Sequence, residues 1–281
     1  MSALPTPWPG GARVAAAITV HVDGPAVEAG RGVLPLGIDS AGRYCIQRGV
    51  HRYLDMLARH GIRGTFFVCG HDVEHWPQLY RDIHAAGHEL AAHGYRHEAW
   101  DLGEAEPALL EKTHHLIADA VGVAPVGWCS PSGRKSALTI PTLRRLGYLY
   151  DASEKDLDAP YLLETAQGIA DDFVVLPNNT VSLDDGPLYR IGQALPSEVY
   201  ANWVEEFQAI RENDGYLHLT VHPKAHVGSG TPGRAAVVDR FLGELRASGD
   251  VGFFTLRELA LHCLAQPDAW RRPRVIGEGG E

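Results

Sequence analysis

Short apolar runs alternate with amphipathic segments along most of this chain. Residues 13–20 and 65–69 form continuous apolar runs of the length of buried strands. Between them, residues 50–60 carry apolar side chains at helical spacing, and Gly61 follows as a typical helix C-cap. Similar patterns predict further strands at 88–92, 148–151, 173–177, 215–221 and 252–255, and a strand end followed by a loop at 127–133. They also predict further helices at 77–86, 104–122, 138–147, 234–248 and 256–265.

The order of these elements predicts the fold class. Strands that alternate with helices form a mostly parallel α/β sheet with helical crossovers, and a (β/α) barrel is the natural closure at this length. We expect a single domain over residues 1–281, with its core at about 13–265 and a loosely packed polar tail at 266–281. Residues 24–45 are rich in glycine and lack a period, which predicts a loop.

Polar side chains recur just after the predicted strands. In a parallel barrel, ligand-binding and catalytic groups collect at the carboxyl ends of the strands. We therefore expect a site at this edge that draws on several distant segments of the chain. The polar residues that follow predicted strands are Asp23, His93, Ser130, Asp151 and His222.

The charge balance limits the class of partner. The chain of 281 residues is 45% hydrophobic and has a formal net charge of −10. It contains no basic run, so nucleic acid is not an expected partner. An acidic surface is not attracted to anionic membranes, and no apolar stretch reaches the roughly 20 residues of a membrane span. The expected partner is therefore neither a nucleic acid nor a membrane.

The amino terminus and the cysteines indicate the compartment. The first ten residues lack the cationic start and long apolar core of a secretory signal, which predicts a cytoplasmic protein. The four cysteines are scattered and form no CxxC pair, which favours reduced thiols and excludes a cysteine-rich zinc site. These cysteines are Cys45, Cys69, Cys129 and Cys263.

His93 and His97 are the most informative pair in the chain. Imidazoles four residues apart can face the same way and bind one divalent metal. Asp23, which follows the first predicted strand, offers an acidic third ligand. One aspartate and two histidines with positions left open are the usual composition of a catalytic metal site rather than a structural one.

Several long motifs in this chain resemble the polysaccharide deacetylase family, also called the NodB-homology family or carbohydrate esterase family four. They are GIRGTFFVCGH at 61–71, IHAAGHELAAHGYRHE at 83–98, His222-Pro223, Gly233-Arg234, and DVGFFTLRELA at 250–260. The similarity covers roughly residues 13–265 and is strongest to a subgroup of intracellular peptidoglycan-deacetylase-like proteins, cyclic imidases and metal-independent allantoinases. It implies a distorted (β/α) barrel and, often in this subgroup, a homotetramer.

The resemblance also implies roles for individual residues. Asp23, His93 and His97 fall on the positions of the metal ligands, with zinc or another divalent transition metal as cofactor. His222 matches the late histidine that protonates the departing amine. The family usually has an acidic residue, which acts as base or assists it, where this chain carries His21 or Val22, and an arginine where it carries Cys129.

These two departures leave three interpretations of His21 open. It replaces the acid as the catalytic base, it becomes an additional metal ligand, or the standard deacetylation is lost. Cys129 is a further candidate ligand for a soft metal. Other residues are expected at the rim or in the pocket as substrate contacts. They are Trp128, Cys129, Ser130, Asp158, Tyr161 and Asp185, with Trp128 also readable as a core residue.

Three functions remain compatible with the sequence. The first is a metal-dependent hydrolase of a non-peptide amide bond, such as an N-deacetylase of an amino sugar or a small N-acyl metabolite. The second is a cyclic amide hydrolase that resembles allantoinase or imidase and can work without metal. The third is a binding protein on the same scaffold that has lost its catalytic pair.

Overall fold

The computed structural model describes residues 8–98, 102–131, 133–165, 168–178, 182–213 and 215–271. Its centre is a curled, mostly parallel sheet of nine strands, surrounded by helices. The strands are β1 (Val14–Val22), β2 (Thr65–Val68), β3 (Glu89–Ala92), β4 (Gly127–Trp128), β5 (Tyr150–Asp151), β6 (Tyr161–Thr165), β7 (Gly168–Val175), β8 (Tyr216–Val221) and β9 (Val251–Phe254).

The strand order is β6-β7-β5-β4-β3-β2-β1-β8, and β9 also pairs with β1. All pairings are parallel except that of β6 with β7. The sheet therefore forms a half-barrel, which confirms the predicted fold class. The antiparallel β6–β7 hairpin was only partly anticipated, because its first strand follows a proline-bounded segment without a clear apolar run.

The helices connect successive strands; most of them pack on the outer face of the sheet, and α11 packs on the inner face. They are α1 (Ala26–Arg31), α2 (Ala41–Tyr44), α3 (Val50–His60), α4 (Gly70–His75), α5 (Pro77–Ala85), α6 (Glu106–Val121), α7 (Thr139–Arg145), α8 (Asp185–Arg190), α9 (Pro196–Glu212), α10 (Pro232–Ala247) and α11 (Leu256–Ala265). Gly61 ends α3 in the left-handed conformation that its C-cap position requires.

Side chains of β1 alternate between two separate hydrophobic clusters. Val14, Ile18 and Val22 point to the outer face, where they pack against the covering helices. Ala15 and Ala17 point to the inner face of the curl, where α11 packs. Because the period of a strand is two, Thr19, His21 and Asp23 continue along this inner face. The alternation therefore places the first polar motif inside the curl, at its carboxyl edge.

Two segments differ from the sequence-based expectation. The predicted loop at 24–45 contains α1, α2 and a short 3-10 helix at Gly37–Ser40, because local helical turns satisfy its backbone groups without an apolar period. The start of the predicted loose tail is ordered. Pro267–Trp270 form a 3-10 helix, and the buried Trp270 ring packs 5.2 Å from that of Trp8. Residues 272–281 lie outside the described part of the chain.

A tight contact holds α3 against the loop that carries His222. A Cβ atom built on Gly49 would lie 1.8 Å from the carbonyl oxygen of Pro223. We expect Gly49→Ala to lower the free energy of unfolding by about 1–3 kcal/mol, as overpacking usually does. Gly243→Ala is the control in α10, since its nearest neighbour would be His60 at 3.8 Å, and should be neutral or stabilising. Denaturant unfolding of both variants measures the difference, and equal midpoints would contradict the contact.

Candidate metal centre and active site

The polar residues of the inner face converge at the carboxyl ends of β1, β3 and β8. His93 follows Ala92, which pairs with Val68, and His222 follows Val221, which pairs with Val20. Because side chains alternate along each strand, His21, His93 and His222 all face the inner side. The ring centroid of His21 lies 4.8 Å from that of His93 and 5.2 Å from that of His222.

Asp23, His93 and His97 bring three ligand atoms together. The Nε2 atom of His93 lies 3.7 Å from Asp23 Oδ1, and that of His97 lies 3.6 Å from Asp23 Oδ2. All three ligand atoms lie within 4.8 Å of one another. The structure thus brings together the residues predicted from the sequence as metal ligands.

A tight turn, rather than a helix, makes the two imidazoles converge. The strand β3 ends at Ala92, and the backbone reverses with positive φ at Gly94 (69°) and His97 (57°). The carboxylate of Glu98 stabilises the turn by accepting hydrogen bonds from the backbone N–H groups of Tyr95 and Arg96. A non-glycine residue at positive φ is uncommon, and histidine is among the side chains that adopt it most readily. The convergence of His93 and His97 therefore depends on this turn.

A backbone carbonyl group fixes the orientation of the His93 ring. Its Nδ1 lies 2.7 Å from the carbonyl oxygen of Cys129 and donates to it, which leaves Nε2 as the free lone pair. Burial lowers the pKa of His93 to about 4, although the carboxylate of Asp23 opposes the shift. A neutral imidazole with one nitrogen fixed by a carbonyl is the usual state of a histidine metal ligand.

Asp23 has the properties of an anionic ligand. Burial tends to raise its pKa, but the neighbouring His97, His222 and His93 hold it well below its ordinary value. Its Oδ1 atom is buried and has no hydrogen-bond partner among the described residues. A buried carboxylate oxygen without a partner is costly, and a divalent cation would satisfy it. The donor set therefore fits the metal that the family resemblance implies.

His222 lies beside the triad of Asp23, His93 and His97 and is held by a buried carboxylate. Its Nε2 lies 3.8 Å from Asp23 Oδ2, and its Nδ1 lies 2.6 Å from Asp185 Oδ1. Asp185 also accepts hydrogen bonds from the backbone N–H of His222 and from the backbone and hydroxyl of Ser229. Burial lowers the pKa of His222, but the carboxylates of Asp185, Asp184 and Asp23 raise it to about 10. The imidazolium is therefore available as a proton donor.

His21 lies in the same polar cluster, but its ligand atom lies close to a different set of side chains. Its Nε2 is buried without a hydrogen-bond partner in the described structure. Burial and the nearby His93 and His222 lower its pKa well below the ordinary value, so the imidazole is neutral. Its ligand atom groups with those of His93 and Cys129 rather than with Asp23 and His97. Burial raises the pKa of the Cys129 thiol to about 12, which disfavours a thiolate ligand.

The structure separates the predicted substrate contacts into different environments. Cys129 and Ser130 line a cavity of about 180 Å³ together with His21 and His222. Asp158 is exposed, and the Tyr161 hydroxyl bonds to Asp156; neither lines that cavity.

Two of these predictions need correction. Trp128 is 2% exposed and packs in the outer cluster, because its position on β4 directs it away from the inner face. It is a core residue, the alternative that the sequence had left open. Asp185 is fully buried, with both oxygens engaged by His222 and Ser229. It positions His222 and does not line the cavity of about 180 Å³.

A larger cavity of about 950 Å³ opens beside the triad and is lined by Asp23 and His97. Several of its residues were not predicted from the sequence, notably Glu28, Lys224 and three arginines that lie on separate segments. Lys224 follows the His222-Pro223 motif directly, so its proximity to the site was the one available signal. Within the described residues, no helix combines the length and apolarity that crossing a membrane requires.

Comparisons with known proteins identify the family of this chain. The family model of the polysaccharide deacetylases matches residues 33–150. A peptidoglycan deacetylase of Helicobacter pylori is 27% identical over 254 residues, covering 79% of this chain and 85% of that protein. A Mycobacterium smegmatis structure assigned to the polysaccharide deacetylases is 32% identical, with a TM-score of 0.82 over 99% of both chains.

An allantoinase structure has the same fold, with a TM-score of 0.82 over 95% of this chain and 96% of that one at 24% identity. The full-length match to the M. smegmatis protein, the family model and the order of the motifs agree with one another. This chain belongs to the polysaccharide deacetylase family and is a hydrolase of carbon–nitrogen bonds other than peptide bonds.

Proposed function

We propose that this chain is a divalent-metal-dependent N-deacetylase of an amino sugar or a small N-acyl metabolite. The observation that carries the proposal is the convergence of Asp23, His93 and His97, with a buried carboxylate oxygen that lacks a partner. One oxygen and two imidazole nitrogens suit zinc, and they also suit other divalent transition metals. A divalent cation at this site supplies Lewis-acid activation of the amide carbonyl and of water.

His222 is the proposed general acid. Amide hydrolysis forms a C–O bond from water and breaks the C–N bond, so the departing nitrogen must gain a proton. His222 holds a proton on an imidazole that Asp185 fixes at 2.6 Å, and it lies next to Asp23. A histidine in this state donates to the leaving amine, and the carboxylate stabilises the imidazolium before the transfer.

His21 is the proposed general base. Its neutral imidazole lies on the inner face between His93 and His222. The family resemblance places the usual acidic residue at His21 or Val22 of this chain. The Nε2 atom of His21 has no partner in the described structure and is free to accept a proton from water. The ligand atom of His21 lies near those of His93 and Cys129 and does not group with those of Asp23 and His97. This favours the role of base over that of a fourth ligand to the same cation.

A cyclic amide hydrolase is the second candidate. The specific observation in its favour is His21 itself, since a neutral base replaces the usual acid in a chain whose fold matches an allantoinase. Both candidates cleave an amide C–N bond, and they differ in substrate shape and in the need for metal.

Metal removal tests the proposed function. We expect the purified protein to contain about one divalent ion per chain by elemental analysis, as a single three-ligand site implies. Treatment with a chelator should abolish release of acetate from N-acetyl substrates, and the added metal should restore it. Undiminished hydrolysis of a cyclic ureide or imide by the metal-free protein, with no action on linear N-acetyl compounds, would favour the second candidate and refute the first.

A further inference from the structure

Three exposed arginines line the large cavity beside the triad. Arg31 ends α1, Arg96 lies in the turn after β3, and Arg190 ends α8. The cavity is about 950 Å³ and includes Asp23 and His97 in its lining, so a ligand that fills it reaches the candidate metal centre.

These arginines have no carboxylate partner in the described part of the chain. The Arg96 guanidinium lies 5.5 Å from the centre of the Tyr95 ring, which is a weak contact. Other cations of the wall are neutralised. Lys224 lies 3.0 Å from Glu28, with both side chains buried, and Lys112 pairs with Glu74 and the Tyr95 ring.

Most carboxylates of the wall are also engaged. Asp23 belongs to the triad, Glu28 pairs with Lys224, and Glu98 accepts two backbone N–H groups. Asp39 is the remaining carboxylate among the described residues of this wall. The three guanidinium groups are therefore exposed cations of the wall that lack a carboxylate partner in the described structure, although Asp23, Asp39 and Glu98 keep their own negative charges.

The backbone brings two of the arginines together. A Cβ atom built on Gly30 would lie 2.5 Å from the carbonyl oxygen of Arg96, so the end of α1 rests directly on the turn after β3. Arg31 and Arg96 therefore extend from adjoining backbone segments on the same cavity wall. Arg190 reaches the cavity from the segment that also carries Asp185, the residue that positions His222.

We propose that Arg31, Arg96 and Arg190 bind an anionic group of the substrate, a carboxylate or a phosphate, while its amide lies at the triad. This inference deepens the proposed function and rests on it. The planar guanidinium fork matches both groups with paired hydrogen bonds. Unpaired cations around a cavity also raise the local concentration of anionic ligands, an effect that salt screens.

Three matched N-acetyl sugars test the proposal. N-acetylglucosamine is neutral, N-acetylmuramic acid adds a carboxylate, and N-acetylglucosamine 6-phosphate adds a phosphate. Calorimetric binding is measured on the metal-loaded protein in a His222→Gln background, and acetate release is measured on the metal-loaded wild type. We expect at least one anionic sugar to bind about tenfold or more tightly than the neutral one, with the advantage falling as salt rises, as expected for charge-assisted hydrogen bonds.

Neutral variants identify the residues. Arg31→Gln, Arg96→Gln and Arg190→Gln should each weaken binding of the anionic sugar by about threefold or more, and the neutral sugar by less. Arg246→Gln, an exposed arginine of α10 that does not line the cavity, is the control and should leave both affinities unchanged. Comparison of the carboxylate and phosphate sugars tells which anion is preferred.

The outcomes separate this inference from the proposed function. Equal binding of neutral and anionic sugars, or a preference that all three glutamine variants preserve, would overturn the anion site even if acetate is released. A clear preference that the variants remove would support the anion site even if no acetate is released, and in that case the deacetylase proposal would fail alone.

Discussion

Replacing Asp23 with asparagine is expected to remove the bound cation and to abolish most of the hydrolysis. Asp23 is the only anionic member of the triad, and its oxygens lie 3.6–3.8 Å from the Nε2 atoms of His97, His93 and His222. Loss of the carboxylate should weaken metal binding by more than about 100-fold, since changes to residues behind a ligand already cost 10–100-fold. We expect kcat/KM to fall by about 1,000-fold or more.

Metal content by elemental analysis after dialysis, together with acetate release, measures both effects. Asp39→Asn is the matched control, because it removes a carboxylate from the same cavity wall outside the triad and should leave metal content unchanged. If the Asp23→Asn protein keeps both its metal and its rate, then Asp23, His93 and His97 do not form the centre.

Replacing His222 with glutamine is expected to lower kcat by about 100- to 10,000-fold while leaving metal content intact, as loss of a general acid does. His222 is near the triad without belonging to it, so its loss should separate chemistry from metal binding. The size of the defect should depend on the leaving group. The 4-nitrophenolate leaving group of a 4-nitrophenyl ester departs without protonation. The variant should therefore hydrolyse such an ester with a far smaller loss of rate than it shows for an amide.

The pH profile gives a second measure of His222. Because nearby carboxylates raise its pKa, the protonated imidazole persists through neutral pH and is lost only in the alkaline range. The wild-type rate should therefore fall at alkaline pH, and this limb should be absent from the glutamine variant. His226→Gln, an exposed histidine on the large cavity, is the control. An equal loss of ester and amide hydrolysis in His222→Gln would argue against the acid role.

Much of the fold was accessible from hydrophobic periodicity. Strand β1 and helices α3 and α11 lie where the patterns predicted them, because a full face of each is apolar. Helix α9 was missed although it spans Pro196–Glu212. Only Val199, Trp203 and Phe207 are buried along it, one per turn, and so narrow a stripe resembles an irregular polar segment.

The sequence predicted which types of residue form the candidate site but not which side chains contact one another there. The sequence placed Asp23, His93 and His222 after strands, which sufficed to expect them at one edge of the sheet. It could not show that Asp185 lies behind His222, since the two are 37 residues apart and meet only through the fold. Nor could it show that a positive φ at His97 turns that ring towards Asp23.

The sequence by itself determined the alternation of elements, the types of ligand and the edge of the sheet where they lie, because these depend on periods of two and 3.6 residues among near neighbours. The tertiary structure alone decided which side chains meet. Trp128 faces the outer core, Asp185 holds His222, and Arg31, Arg96 and Arg190 share one cavity. Such meetings depend on the curl of the sheet and on loop conformations, which bring together residues that no local pattern relates.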